Sequence, residues 1–321
     1  MIDVRWFPPN RFAALVVPRL EQLGFKIATE GDAPARLALA MSGTVAEPAY
    51  RYAITQRCPC VLYLWDLPPW SLGDGDADHL WWGLGRFFRV PRLGRRYRER
   101  RGYYSRLRFI ANRARAVWVP SAFTAQSVAA HFGVTARRVP YCYDSARLVA
   151  LPQESRAPQQ LVSVSRLQPY KNQQAVIRAA ARLPPGTSVR LVGEGPEESA
   201  LRRLAERLGV RCSLESGLND AEMVRAYQQA GAVVCPSRFE GFGLSPVEAI
   251  ACGTPVVASD IPAHREFVDG AARFFALDDD AGLIATVSAA LQGPRPDPAA
   301  VGALTIDAAA GRFAAALTEL L

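Results

Sequence analysis

The sequence predicts an α/β protein with two doubly wound domains, each built on a parallel sheet. Short apolar runs alternate with segments of helical period along most of the chain, as expected when helices connect parallel strands. The 321 residues suffice for two domains of ordinary size. Half of the residues are apolar, so both domains can bury a large core.

The first domain is predicted to span 1–146. Helical periodicity indicates one helix at 11–23, which Gly24 ends, and another at 122–132. The strand candidates are short apolar runs at 2–7, 25–29, 35–40, 60–65 and 117–121.

The second domain is predicted to span 159–304, after a polar, proline-containing linker at 151–158. Its strand candidates lie at 161–165, 188–192, 210–214, 232–235 and 254–258. Its helices are expected to begin at capping residues or prolines, namely Asn172, Pro196, Asp220 and Ser245. An amphipathic segment at 305–321 is predicted to form a final helix.

The most informative stretch is 236–259, which has the pattern strand, tight loop, short helix, turn and strand. Ser245 is predicted to cap the short helix, whose N-terminus carries unpaired N–H groups and a partial positive charge. Such an end binds anions, and phosphate is the usual one. Glu240 and Glu248 would flank the anion and accept hydrogen bonds from hydroxyls. Two simpler interpretations stay open: Glu248 as the capping-box partner of Ser245, and Glu240 as a solvated loop acid.

This stretch resembles a known family signature. Glu240-Gly-Phe-Gly-Leu-Ser-Pro-Val-Glu248, followed by Ala-Ile-Ala-Cys-Gly-Thr-Pro-Val-Val-Ala-Ser259, is similar to the Glu-x7-Glu motif of retaining, nucleotide-sugar-dependent glycosyltransferases of the GT-B fold, family 4. The resemblance implies two Rossmann-like domains facing each other across a cleft, with the last helix crossing back to the first domain. It is dense over the C-terminal half and covers the N-terminal half in outline.

The resemblance also implies roles for individual residues. Arg166 and Lys171 match the family's Arg-Leu…Lys-Asn element, whose two cations bind the donor diphosphate. Glu240 would bind hydroxyls of the donor sugar and support the positive charge that develops on its ring, and Glu248 would bind ribose hydroxyls. The other donor-binding candidates lie on loops that follow strands, and they are Gly193, Gly195, Phe242, Gly243, Leu244 and Ser245.

No metal and no cofactor is expected beyond the nucleoside-diphosphate sugar as co-substrate. Protein cations would stabilise the leaving diphosphate, so a metal is not required. Asp74-Gly-Asp76 has the spacing of a metal-binding Asp-x-Asp element, but it lies in a polar loop and is interpreted as a turn.

The acceptor side offers one weaker candidate. Asp66 follows a strong apolar strand, where parallel sheets bind their ligands, and its segment resembles the family's His-Asp-x-x-Pro stretch. Trp65 stands where a histidine is common in that stretch. Asp66 is therefore either a turn aspartate or an acceptor-side base.

The charge distribution predicts an anionic partner. The net charge is +8, and Arg86–Arg115 contains twelve arginines and one acid, Glu99, with aromatic residues interleaved. This composition suits an anionic membrane surface or a glycan or lipid-linked acceptor, and nucleic acid is not expected. The six scattered cysteines favour a reduced, cytoplasmic protein. The arginine-rich run adds a peripheral position at the inner face of the membrane.

The resulting hypothesis is a retaining, metal-independent glycosyltransferase of the hexosyltransferase type. Three alternatives stay open: an inverting transferase, a sugar-nucleotide epimerase of the same fold, and a non-catalytic protein that docks on membrane or nucleic acid. Inversion would need a general base near the acceptor, for which Asp66 is the candidate.

Overall fold

The structure is a computed structural model that describes residues 2–8, 11–31, 34–67, 102–150 and 157–321. Asp74-Gly-Asp76, residues 86–101 of the arginine-rich run and most of the predicted linker lie outside the described residues. The chain forms two compact units. The first consists of Met1–Tyr141 with Ile306–Leu321, and the second of Cys142–Thr305.

The first unit is built on a six-stranded parallel sheet in the order β2-β1-β3-β4-β5-β6. Its strands are β1 (Ile2–Phe7), β2 (Phe25–Ala28), β3 (Leu37–Ala40), β4 (Cys60–Tyr63), β5 (Ala116–Val119) and β6 (Ala136–Arg138). The flanking helices are α1 (Arg11–Gln22), α2 (Ala46–Gln56), α3 (Ala122–Phe132) and a helical run at 102–111. The strand order changes direction between β1 and β3, so the sheet has its topological switch point there.

The second unit is built on another six-stranded parallel sheet, in the order β12-β11-β10-β7-β8-β9. Its strands are β7 (Ala157–Val164), β8 (Ser188–Val192), β9 (Arg211–Glu215), β10 (Ala230–Cys235), β11 (Val256–Ser259) and β12 (Arg273–Phe275). Its helices are α4 (Gln173–Ala180), α5 (Glu198–Leu208), α6 (Asp220–Gln229), α7 (Leu244–Ala251), α8 (Pro262–Val268) and α9 (Asp280–Gln292). The switch point of this sheet lies between β7 and β10.

The predicted α/β fold class with two doubly wound parallel sheets is confirmed. All six residues of β10 are buried, because a parallel strand covered by helices on both faces has no solvent side. The run Ala232–Cys235, which predicted this strand, is therefore apolar throughout because both faces of the strand are buried, and it does not alternate with polar residues.

The last helix, α10 (Ile306–Thr318), belongs to the core of the first unit. Phe313 is fully buried, and its ring centroid lies 5.2 Å from Phe12 and 6.0 Å from Trp6. Arg19 of α1 donates to Asp307 at 2.7 Å. The segment Pro298–Thr318 is long and apolar enough for a membrane span by composition, but the buried face of α10 is that of a core helix.

One predicted cap is displaced by a residue. The sequence placed Asp220 at the start of α6, whereas Asn219 is the N-cap. Its side chain accepts from the Glu222 N–H at 3.0 Å, and Glu222 accepts in return from the Asn219 N–H at 2.8 Å. This reciprocal capping box favours asparagine because its carbonyl oxygen reaches the third helical N–H.

Candidate functional site

The predicted donor-side residues gather at the carboxyl edge of the second sheet. Lys171 follows β7 and Glu240 follows β10, and these two strands are neighbours at the switch point. Open α/β sheets bind ligands at this position because the loops on either side of the switch point diverge and leave a crevice.

Lys171 and Glu240 form an ion pair. Lys171 Nζ lies 2.5 Å from Glu240 Oε1, and the two side chains are 12% and 18% exposed. The family resemblance implies that Lys171 binds the donor diphosphate and that Glu240 binds the donor sugar. The structure brings these two side chains into direct contact. A charge-assisted pair this well buried holds both groups in fixed positions before any ligand arrives.

Arg166 lies on the same loop as Lys171 but is exposed. Its Nη2 donates to the Tyr170 hydroxyl at 3.0 Å, and Lys171 Nζ lies 5.2 Å from the centre of the Tyr170 ring. The Tyr170 carbonyl accepts from the Arg238 N–H at 2.8 Å, which joins the loop after β7 to the loop after β10. Tyr170 therefore positions both cations, a role that sequence reasoning missed although the residue lies directly before Lys171.

Asn172 joins these two loops in a second place. Asn172 is the N-cap of α4, as the sequence predicted, but its side chain forms no cap bond at this helix start, and its φ is +56°. Its Nδ2 instead donates to the Pro236 carbonyl at 3.3 Å. The residue tolerates the left-handed backbone, which turns the chain from Lys171 into the helix.

Gly193 and Gly195 lie against the backbone of the loop that follows β7. A Cβ on Gly193 would lie 2.0 Å from the Ser165 carbonyl oxygen, and one on Gly195 would lie 2.3 Å from the Leu167 carbonyl oxygen. The Leu167 N–H donates to the Glu194 carbonyl at 2.8 Å. The two glycines thus let the loop after β8 lie directly against the loop that carries Arg166.

The start of α7 differs from the sequence prediction. Gly243 is the N-cap, with φ +83°, and Ser245 lies inside the first turn. The Ser245 hydroxyl donates to the Val164 carbonyl at 2.6 Å, so it does not cap the helix. No side-chain cap bond is formed at this helix start in the described structure, which leaves first-turn N–H groups and the positive end of the helix dipole for an anion.

Glu248 is held by a tyrosine. With Gly243 as N-cap, Glu248 is not at the third helical position, so the capping-box interpretation is wrong. Its Oε2 accepts from the Tyr227 hydroxyl at 2.6 Å. Tyr227 is fully buried, and burial raises its pKa well above the ordinary value, with the Glu248 charge raising it further. The phenol therefore stays protonated and donates.

His264 lies behind the glycine loop. A Cβ on Gly243 would lie 2.9 Å from His264 Cδ2 and 3.3 Å from Nε2. Nδ1 lies 3.0 Å from the Ser259 carbonyl oxygen, which can only accept, so Nδ1 carries the proton. Nε2 is buried without a hydrogen-bond partner in the described structure. His264 is the third residue of α8, and a histidine at a helix start gives no sequence signal of a contact with Gly243.

The remaining donor-side candidates have structural neighbours of their own. Phe242 is 7% exposed, and its ring centroid lies 4.2 Å from that of Phe267. Leu244 is the first residue of α7 and is half-buried. Their roles in donor binding stay predictions.

Trp65 and Asp66 lie in the first unit. Trp65 Nε1 donates to the Met41 carbonyl, and its ring meets Tyr141 edge-on with centroids 4.5 Å apart. Asp66 is exposed. Burial raises the pKa of Tyr103 to about 12, and the charges of Tyr104 and Asp66 add to this. The acceptor-side role of Asp66 stays a prediction.

Within the described ranges, no group of three or more histidine, cysteine, aspartate or glutamate side chains is placed to hold a metal ion. The part of the arginine-rich run that the structure describes includes Arg113, whose guanidinium lies 3.7 Å from the centre of the half-exposed Phe109 ring.

One segment of the chain matches a family model, and it contains the loops after β7, β8 and β10 and the start of α7. Residues 149–294 match the model described as glycosyl transferases group 1. The second unit belongs to this family. The group 1 domain accordingly contains Lys171, Glu240 and Glu248, whereas Asp66 and Trp65 lie outside the matched segment.

Curated relatives match only part of the chain. D-inositol 3-phosphate glycosyltransferase of Mycolicibacterium smegmatis is 40% identical over 127 residues, which are 37% of this chain and 28% of that relative. The enzyme of the same name from Mycobacteroides abscessus is 42% identical over 115 residues, 33% of this chain and 26% of its own length. The chain thus matches about a quarter of the length of these relatives.

Solved structures share the fold over nearly the whole chain. Anabaena Alr3699/HepE in complex with UDP and glucose has a TM-score of 0.72 at 17% identity, with 99% of this chain and 100% of that one covered. The lipopolysaccharide outer core galactosyltransferase WaaB has a TM-score of 0.62 at 15% identity, with 97% and 81% covered. At these identities the likeness establishes the GT-B fold of the group 1 domain and its companion unit, and nothing finer.

Proposed function

We propose that the protein is a glycosyltransferase that moves a sugar from a nucleoside-diphosphate sugar to an acceptor hydroxyl. The observation that carries the proposal is the largely buried Lys171–Glu240 pair at the switch point of the group 1 domain. It places a cation and a hydroxyl-binding acid side by side where such a sheet binds ligands, and the start of α7 follows the same loop.

The chemistry follows from the charge that develops on the leaving group. When the bond between the anomeric carbon and the diphosphate oxygen breaks, its electrons stay on the phosphate. Lys171, Arg166 and the first N–H groups of α7 would stabilise that charge, which is the role of preorganised donors in a dry site. Removing one such group typically costs about 100-fold or more in rate. The acceptor hydroxyl oxygen forms the new bond to the anomeric carbon, and its proton passes to the departing diphosphate oxygen.

The two acids would take opposite ends of the donor. Glu240 would bind sugar hydroxyls and support the ring as it becomes positive, while Glu248, held by Tyr227, would bind the ribose hydroxyls. The transfer would be metal-independent, because protein cations neutralise the diphosphate. Retention of anomeric configuration is proposed from the resemblance around Glu240 to Glu248.

The acceptor is proposed to be a glycan or a lipid-linked molecule, with Asp66 and Trp65 on its side. The excess of arginine in Arg86–Arg115 supports a cytoplasmic location at the inner face of an anionic membrane. One neighbour of the same fold, HepE, was crystallised with UDP and glucose and with UDP-glucose, so a uridine diphosphate sugar is the first donor to test.

A thermal-shift panel of uridine, guanosine and thymidine diphosphate sugars tests the proposal. A ligand at 100 times its dissociation constant adds about 2.7 kcal/mol, so at least one sugar nucleotide should raise the melting temperature. Lys171→Ala should abolish that shift together with turnover. A protein that responds to none of these donors but binds nucleic acid in a salt-sensitive manner would instead be a docking protein. Analysis of the anomeric configuration of the product separates retention from inversion.

A further inference from the structure

The first unit contains a buried arginine without a hydrogen-bond partner on two of its nitrogens. Arg5 lies in β1 and is 8% exposed, and its Nε and Nη1 are buried with no partner in the described part of the chain. The nearest acid along the strand, Asp3, lies 3.7 Å from Lys26 instead. A buried guanidinium with two nitrogens that lack hydrogen-bond partners is costly in a protein interior, so a residue of this kind is rarely kept for stability alone.

The position of Arg5 points to a ligand. Its guanidinium carbon lies 4.8 Å from the centre of the Phe7 ring, which is two residues nearer the carboxyl end of β1. The charged group therefore extends toward the carboxyl edge of the sheet. Arg5 is paired in register with Ala38 of β3, and the switch point of this sheet lies between β1 and β3.

The residues around Arg5 leave room for its long side chain. Its register partners on the two neighbouring strands are Ala28 and Ala38, both small. Ala38 is fully buried, as is Ala40 two residues further along β3. The Phe7 ring is braced edge-on by Tyr52 of α2, with centroids 5.4 Å apart. These described neighbours therefore supply no counter-charge to the guanidinium.

We propose that Arg5 binds an oxyanionic group, phosphate or carboxylate, on the acceptor. A guanidinium presents paired N–H donors that match either oxyanion in a bidentate manner. This assignment deepens the proposed function, on which its acceptor role rests. The arginine would be the charged anchor of the first unit, as Lys171 is that of the second.

The test uses the full chain with the donor site silenced by Arg166→Ala and Lys171→Ala, so that an added anion reports on the first unit. In this background, the melting temperature is measured in sodium phosphate, sodium acetate and sodium chloride at matched ionic strength. The variants are Arg5→Met, which keeps an unbranched apolar chain, and Arg36→Met as the matched control. Arg36 is an exposed arginine directly before β3, at the opposite edge of the same sheet.

Phosphate or acetate should raise the melting temperature of the Arg5 protein by about 2 °C or more, and Arg36→Met should keep this shift. Arg5→Met should lose it and should melt higher than the Arg5 protein in chloride, because a buried charge has been replaced by an apolar chain. In NMR spectra, the Nε–H signal of Arg5 can be assigned because it is absent from Arg5→Met. Its chemical shift should change on titration with phosphate.

Two results would overturn the proposal. If Arg5→Met melts lower than the Arg5 protein in chloride, the arginine is structural. If Arg5→Met responds to both anions as its parent does, the site lies elsewhere. Failure of the proposed function is measured separately, as the absence of a sugar-nucleotide shift in the chain with intact Arg166 and Lys171. In that case, a response to phosphate or acetate that depends on Arg5 would still support anion binding at Arg5.

Discussion

The Tyr227 hydroxyl donates a 2.6 Å hydrogen bond to Glu248 Oε2 and so fixes the orientation of this carboxylate. Tyr227 lies in α6 and Glu248 in α7, and the two helices flank β10 in the sequence. The Tyr227 carbonyl in turn accepts from the buried Thr254 hydroxyl at 2.9 Å. A carboxylate held on one oxygen by a buried phenol presents its other oxygen in one direction, as the proposed binding of a ribose would require.

Tyr227→Phe should weaken donor binding with little change in the chemical step. Hydrogen bonds to charged groups are worth about 1.5–3 kcal/mol, so we expect the donor KM to rise about 10-fold or more while kcat stays within a factor of about three. Steady-state kinetics with the donor identified by the thermal-shift panel measures both constants.

A nucleotide without ribose hydroxyls provides the control for Tyr227. The affinity penalty of Tyr227→Phe should vanish for a 2′,3′-dideoxynucleoside diphosphate, since Glu248 then has no hydroxyl to bind. Thr254→Val removes the neighbouring buried hydrogen bond and controls for general loosening of α6. An equal penalty for both nucleotides would mean that Tyr227 supports the fold and does not act through Glu248.

Glu240→Gln should separate binding from catalysis. The amide keeps the shape of the side chain but loses the charge that pairs with Lys171 and that, in the proposed mechanism, supports the positive sugar ring. We expect most of the donor-induced thermal shift to persist while kcat falls about 100-fold or more. Normal turnover in this variant would remove Glu240 from the mechanism.

The sequence located the site better than it located the contacts within it. Glu240, Lys171 and Arg166 could be placed at strand ends because apolar runs reveal the strands and the loops follow them directly. The Lys171–Glu240 contact could not be predicted, because it joins residues 69 positions apart and depends on β7 and β10 being neighbours. Strand order is a property of the packed sheet and leaves no local pattern.

Several elements were not predicted, among them the strands β6 and β12 and the helices α2 and α9. The helix α2 starts after Val45 without a side-chain cap bond and contains Pro48, so it lacks the usual start signal. The helix α9 is apolar on most sides, which blurs the helical period, although Leu283, Val287 and Ala290 form its buried face. Tyr227 was missed because a buried aromatic in a helix has the same pattern whether it packs or positions an acid.

Gly193→Ala and Gly195→Ala should destabilise the group 1 domain far more than an alanine at another glycine of positive φ. Gly217 is the matched control, because its φ is +69° but no atom lies within 4 Å of the added Cβ. We expect about 1–2 kcal/mol for Gly217→Ala from backbone strain alone, and clearly more for the other two, whose Cβ would collide with backbone oxygens.

Denaturant unfolding of the three glycine variants measures this difference, and donor affinity measured in parallel shows whether the Arg166 loop has moved. Equal destabilisation at all three positions would mean that the loop after β8 can yield, and that the close approach to Ser165 and Leu167 is not required.

His264 should make the protein sensitive to mild acid. Burial lowers its pKa below the ordinary value of 6.5, and the Glu240 charge offsets part of this shift. As the pH falls, His264 of the unfolded chain therefore binds a proton near pH 6.5, whereas His264 of the folded protein binds it only at a lower pH. The stabilising contribution of neutral His264 is complete above pH 6.5 and is lost as the pH falls toward and through the folded-state pKa.

The expected result is that the parent loses more stability between pH 7.5 and about 5 than His264→Asn does, because asparagine can still donate to the Ser259 carbonyl but does not titrate. Unfolding free energies from urea titrations across this range measure the difference, and subtraction removes the carboxylates that titrate in both proteins. His131→Asn, at the end of α3 in the first unit, controls for the loss of a histidine as such. Parallel pH profiles for the parent and His264→Asn would show that His264 is not held neutral against Gly243.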